Sequence, residues 1–300
     1  MIICHRCKLE NDGDEDFCAR CRTYIGPPRP YKVEPADYVH PDDAGALDPL
    51  SAIPLFTALA KQAIEKNYAR TRAHLLSRTI PIFRKNYPRL YETAAYCARV
   101  LGLRTLPELY LSPDLELNAY AFGTVEKPVL VLTAGLARSM NQHEVSAVVG
   151  HEMGHIKVEH IVYQTLARFI LSGMQLVGAT SILFNLVSSA LFKKWARASE
   201  ISADRAGLLV AQDLDHVRSA YLKLAGWRGR ESLTNFFEKQ RVQEERLESR
   251  LYELITSHPF TTQRLSEMGA FFLSRQYRSL VENIEKNNML YRIFKRESES

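Results

Sequence analysis

The sequence predicts an α+β fold, mainly helical with a small sheet, preceded by a short cysteine-rich module. Four of the five cysteines fall within the first 21 residues. Leu109-Tyr110-Leu111 and Val129-Leu130-Val131-Leu132 are short apolar runs of strand character, with Ala119-Tyr120-Ala121-Phe122 between them. From Gln142 to about Leu280 the apolar spacing is mostly helical. The chain has 300 residues, 46% hydrophobic and 24% charged, enough for one large domain or two unequal ones. That composition excludes disordered, collagen-like and low-complexity classes.

Residues 1–26 read as a separate module. Cys4-x-x-Cys7 and Cys18-x-x-Cys21 lie ten residues apart, and each pair puts two sulfurs on one turn. Four thiolates close a tetrahedral site for a structural Zn²⁺, which makes this a rubredoxin-like zinc ribbon. So short a segment has no apolar core, and the metal supplies its folding energy. His5 is a bystander inside the first knuckle. Residues 1–30 carry five basic and five acidic side chains, so nucleic acid is not the expected partner. A protein partner is the expectation for the ribbon.

Residues 27–50 read as a proline-rich linker, opening with Gly26-Pro27-Pro28-Arg29-Pro30 and continuing through Pro35, Pro41 and Pro49. The larger domain occupies 51–300. Helical spacing starts near Asp48, with Leu55, Leu59, Ile64 and Tyr68 roughly helix-spaced, and a second helix covers 90–103, stopped by Gly102. Residues 61–104 hold ten Lys or Arg against Glu65 and Glu92. This is the pattern of a solvated helix face, or of one that meets an anionic surface. The N-terminus has no apolar run of signal-peptide length, so the expectation is a reducing cytoplasm.

His151-Glu152-Met153-Gly154-His155 carries the chemistry. On a helix, residues i and i+4 share a face, so two imidazoles reach one Zn²⁺ while Glu152 stands beside them as general base. A catalytic zinc needs a third protein ligand. Glu159 is eight residues from His151, about 12 Å of rise, and His143 fails for the same reason. The ligand therefore comes from a second helix. Glu200-Ile201-Ser202-Ala203-Asp204 is the candidate, with Glu200 on the metal and Asp204 accepting the outer N–H of a ligand histidine. Cys97, on an apolar helix face, reads as core.

HExxH followed by Glu-x-x-x-Asp resembles a gluzincin. Leu117-Asn118-Ala119-Tyr120-Ala121-Phe122-Gly123, Leu132-Thr133-Ala134-Gly135-Leu136, and Ser257-His258-Pro259-Phe260 with Arg264 narrow the resemblance to the HtpX and CAAX prenyl protease family of zinc metallopeptidases. It covers about residues 50–270 and leaves the ribbon outside. It implies a zincin-like domain in which His151, His155 and Glu200 hold zinc and Glu152 is the general base. Asp204 would stand behind the ligands. Asn118, Ala119, Tyr120 and Ala121 would form an edge strand on which an extended peptide lies. His258 and Arg264 would lie near the metal and steady the oxyanion. Asn118 is also a fitting turn cap, and His258 a fitting helix end before Pro259.

The expected function is a zinc-dependent endopeptidase acting on peptides or on unfolded and damaged proteins, in protein quality control. It would carry one catalytic and one structural zinc. The alternative is a non-enzymatic zinc-ribbon adaptor with an inactive metallopeptidase-like domain. Phe169–Phe192 is uncharged over 24 residues and is followed by Lys193, Lys194 and Trp195, a membrane-interface pattern. A single crossing would separate His155 from Glu200. A helical hairpin turning near Gly178–Ser181 returns the chain to the zinc, its tip packed, dimerising or dipping into the cytoplasmic membrane face.

Overall fold

The computed structural model describes residues 1–29, 31–45, 77–171, 190–229 and 262–299, with isolated positions in 58–73 and 232–239. The ribbon begins with β1 (Ile2–Ile3) paired antiparallel to β2 (Glu10–Asn11). Its two knuckles are built alike. Lys8 N–H closes on Cys4 C=O at 2.9 Å and Arg22 N–H on Cys18 C=O at 2.8 Å, with Lys8 at φ 60° and Arg22 at φ 57°. A left-handed residue with a Cβ costs about 1–2 kcal/mol, and the same cost is accepted at the same place in both knuckles.

The ribbon is docked on the larger domain. Thr23 bridges Thr105, Tyr24 N–H donates to Arg104 C=O and Leu106 N–H to Arg22 C=O. Phe17 joins the main apolar core. Nor is the described part of the proline-rich segment a free tether. Val33 and Tyr38 are fully buried, and the Tyr38 hydroxyl donates to Gly154 C=O at 3.3 Å. Proline sets an extended backbone but does not decide whether the apolar side chains between prolines are solvated. Here they pack.

The sheet has the order β3-β4-β6-β5. β4 (Glu108–Ser112) and β6 (Pro128–Thr133) run parallel, while β3 (Ile80–Pro81) and β5 (Ala119–Gly123) are antiparallel edges. β6 is buried at every residue, as its unbroken apolar run requires for a strand covered on both faces. Leu130 and Leu132 face the main core with Ala119 and Ala121, and Val129 and Val131 join Tyr110 and Phe122 on the other side. The expected strand runs are thus β4, β5 and β6; β3, two residues long, carries too little pattern to read.

α1 (Pro88–Val100) ends as foreseen. Gly102 takes φ 68°, its N–H bonds to Arg99 C=O, and Leu103 N–H bonds to Ala98 C=O. Of the helix expected from Asp48, only scattered positions are described; among them Ile64 is buried and Tyr68 packs on Phe122. α2 (Ala134–Ser139) follows β6 directly. The basic excess of 61–104 is partly absorbed by ion pairs. Arg72 and Arg22 share Glu108, and Arg84 pairs with Asp14 and Glu92.

α3 (Gln142–Lys157) carries HExxH. Asn141 and Glu144 form a reciprocal cap, and Glu144 also takes Lys223 at 2.7 Å and Ser219 at 2.6 Å. Every residue from Glu144 to Ile156 is buried. α4 (His160–Leu171), α5 (Ala190–Ala211), α6 (Leu214–Leu224), α7 (Thr262–Leu273) and α8 (Arg275–Glu299) follow among the described residues. α3 and α5 cross closely because their contact is glycine. A Cβ on Gly154 would stand 2.6 Å from Ala206 Cβ, and one on Gly207 2.6 Å from Ala147 C=O. Helical glycine costs about 1 kcal/mol, and the close approach is what brings Glu200 to the histidines.

Trp195, read as an interface residue, is fully buried. It packs on Tyr163 and Phe192 with ring centres 5.4 and 4.9 Å away. Through Trp195, α5 thus touches α4 at His160 and Tyr163. The turn expected near 178–181 lies outside the described residues. Among the described residues no helix is long and apolar enough to cross a membrane.

Candidate metal and active site

Helical spacing puts His151 and His155 one above the other on α3, and α5 lays Glu200 across them. His151 Nε2 is 3.2 Å from His155 Nε2 and 3.4 Å from Glu200 Oε2, and His155 Nε2 is 3.3 Å from Glu200 Oε1. Ligand atoms bound at 2.0–2.1 Å to one tetrahedral zinc lie about 3.3 Å apart. The three residues are at most 3% exposed. His151 Nδ1 donates to Asp204 Oδ1 at 2.9 Å, which turns the lone pair of Nε2 inward. Two imidazole lone pairs and a carboxylate converging in a buried space make a cation site, and the donor set fits zinc with three protein ligands and an open position.

The electrostatics agree. Burial opposes charge on His151, yet the Asp204 and Glu200 carboxylates outweigh it and lift its pKa to about 9. His155, with burial dominant, is pushed well below the usual imidazole range. Burial would raise Asp204, but the Arg264 guanidinium and His151 bring it below its ordinary value. Arg264, 5% exposed, donates to Asp204 at 2.7 and 2.6 Å and lies 3.2 Å from Glu200. The position expected to face an oxyanion thus binds one metal-ligand candidate and the carboxylate behind another.

Glu152 is 2% exposed and accepts the Ala121 N–H at 2.9 Å, which joins α3 to the edge strand β5. Arg168 Nη1 donates to Ala121 C=O at 3.1 Å and its guanidinium lies over the Tyr120 ring. Gly123 N–H meets Thr165 Oγ1 at 3.0 Å. The outward backbone groups of Ala121 are thus held by the chain's own side chains. Ala119 is buried and Tyr120 half-buried. Asn118 is anchored through its backbone to Thr133, its N–H on Oγ1 at 3.0 Å. His258 lies outside the described residues.

The rejected ligands sit elsewhere. Glu159, at φ 63°, pairs with Lys61 at 3.3 Å, and His143 stacks on His216. Sequence reasoning missed Arg168, Tyr221, His160 and Asp43. Tyr221 OH lies 3.3 Å from His151 Nδ1, and no motif marked it. His160, five residues after His155, carried a weak signal hidden by the break in the helix.

In the ribbon, Cys4 and Cys21 sulfurs are 3.5 Å apart, as are Cys7 and Cys18. Four sulfurs on one zinc would be separated by about 3.8 Å. Burial opposes ionising Cys21, but hydrogen bonding with Thr23 and the neighbouring thiols brings it down to about 6. Cys97 is buried, with its thiol pushed up by desolvation, as a core position requires.

Compared with known proteins, residues 84–270 match peptidase family M48. A chloroplastic plastoglobule-localized metallopeptidase 48 of Arabidopsis thaliana is 26% identical, the match covering 89% of this chain and 81% of that protein. A protease HtpX homolog of Pelotomaculum thermopropionicum is 29% identical over 42% of each chain. One of Thermococcus sibiricus is 35% identical over 30% of this chain and 31% of its own. The chain thus spans less than half the length of these two HtpX homologs.

Proposed function

The chain belongs to peptidase family M48 and is a metallopeptidase, and on that premise we propose that it is a zinc-dependent endopeptidase whose metal is held by His151, His155 and Glu200. The convergence of those three ligand atoms beside Glu152 and an edge strand is the observation that supports this most. Zinc bound there would polarise the scissile carbonyl and make a water in the open position acidic. Glu152 takes the proton of the attacking water and delivers it to the leaving amine, with no covalent intermediate. Asp204 holds the His151 ring, and Arg264 holds Asp204 and Glu200. An extended substrate pairs with β5 and takes over the Ala121 N–H and C=O that Glu152 and Arg168 occupy without it.

The substrates in this reading are unfolded or damaged proteins, the role is quality control, and the place is the cytoplasm or the cytoplasmic face of a membrane. Four cysteines arranged for a metal and a buried Cys97, none of them in a disulfide, support a reducing compartment. Cys4, Cys7, Cys18 and Cys21 hold a second, structural zinc, and the ribbon is the surface for a protein partner.

The test is hydrolysis of casein by the full chain. A zinc chelator that empties the open His151 site should stop cleavage, and added Zn²⁺ should restore it. Cleavage that persists after the site's metal has been removed would refute the proposal.

A further inference from the structure

The two histidines of the candidate site are supported unequally. His151 Nδ1 meets the Asp204 carboxylate directly. His155 Nδ1 meets another imidazole, His160 Nδ1, at 3.0 Å. Because His155 Nε2 faces Glu200 and His151, its proton sits on Nδ1, where His160 Nδ1 at 3.0 Å is the nearer acceptor and the Gln164 amide stands 3.4 Å away. The proton of His160 is then on Nε2, 3.1 Å from Asp43 Oδ2, with the N–H off the line of that oxygen. Ser202 Oγ donates to the same oxygen at 2.5 Å and accepts the His40 N–H at 2.9 Å.

Building on the reading of His155 as a zinc ligand, we infer that His160 and Asp43 are positioning residues for it. They fix its tautomer and ring orientation through a relay that ends in the proline-rich segment. Asp43 lies ahead of the residues matched to the peptidase family, so the segment between ribbon and domain completes the catalytic centre.

The burial of the relay points to a purpose other than packing. His155, His160, Asp43 and Ser202 are each 0% exposed. Among the described residues Asp43 Oδ1 has no hydrogen-bond partner, and His160 Nε2 has only the bent contact. A buried carboxylate with one oxygen unpaired is costly, and an apolar residue would fill the space more cheaply. The geometry is also enforced. Glu159 breaks the helix in a left-handed conformation and turns His160 back toward His155. Trp195 stands edge-to-face on the His160 ring, centres 5.6 Å apart at 81°.

The experiment measures zinc affinity of the full chain by competition with a chromogenic chelator, together with the visible d–d bands of the Co²⁺-loaded protein. Native protein and His155→Ala come first. If His155→Ala keeps native zinc affinity, the ligand assignment fails before the relay is in question. Given loss of zinc there, His160→Leu should weaken zinc binding by about 10–100-fold and shift the Co²⁺ bands. His160→Asn should recover most of the affinity, because the amide oxygen takes the place of the Nδ1 acceptor. Asp43→Asn, which keeps shape but removes charge, should fall between native and His160→Leu. If His160→Leu does not fold, the two amide variants carry the test. A folded His160→Leu, or failing it Asp43→Asn, with native zinc affinity would overturn the relay. So would His160→Asn binding zinc as weakly as His160→Leu, or 10-fold or more below native where His160→Leu does not fold.

Discussion

Glu152→Gln is expected to lower casein turnover by about 1,000-fold or more while both metal sites stay filled. Glu152 lies beside the ligand cluster without belonging to it, and it accepts the Ala121 N–H, which a glutamine oxygen also accepts. The variant can therefore keep the α3–β5 contact while losing the carboxylate proposed to carry the proton. Zinc content and initial rate, measured on the same preparation, check this. Loss of zinc from the variant would place Glu152 among the ligands, and native turnover would remove it from the mechanism.

The second large effect falls on Arg264. Asp204 is fully buried and Glu200 is 3% exposed, and Arg264 is a permanent cation that both share, beside His151. Arg264→Leu leaves two buried carboxylates without that charge, a change of the kind that costs about 3–5 kcal/mol. Urea unfolding of the zinc-free chain should show the loss. Arg264→Lys should recover only part of it, because an ammonium cannot make the two parallel bonds the guanidinium makes to Asp204. Zinc should narrow the difference by supplying positive charge to Glu200. An Arg264→Leu chain as stable as the native one would show that the carboxylates are compensated elsewhere.

What was legible in the sequence is what local geometry encodes. His151 and His155 are one helical turn apart, as are Glu200 and Asp204, so spacing alone put each pair on one face. The cysteine knuckles and the β4 and β6 runs were readable for the same reason. Asp43 was not, because its role depends on where a proline-rich segment meets His160 of α4 and Ser202 of α5, more than a hundred residues away in sequence. His160 was hidden by Glu159, whose left-handed backbone breaks the 3.6-residue period. Trp195 followed an uncharged run and a lysine pair, a pattern shared by membrane boundaries and by helices that pack side by side. Arg264 was marked only by resemblance, and its carboxylate partners emerge only when α7 is placed against α5.

Counting zinc per chain tests the central claim most directly. The native full chain should hold two ions and hydrolyse casein. His155→Ala should hold one, kept by the cysteines, and hydrolyse none. A fully active native chain with a single zinc, or His155→Ala that keeps two ions and its activity, would contradict the assignment of the catalytic metal to His151, His155 and Glu200.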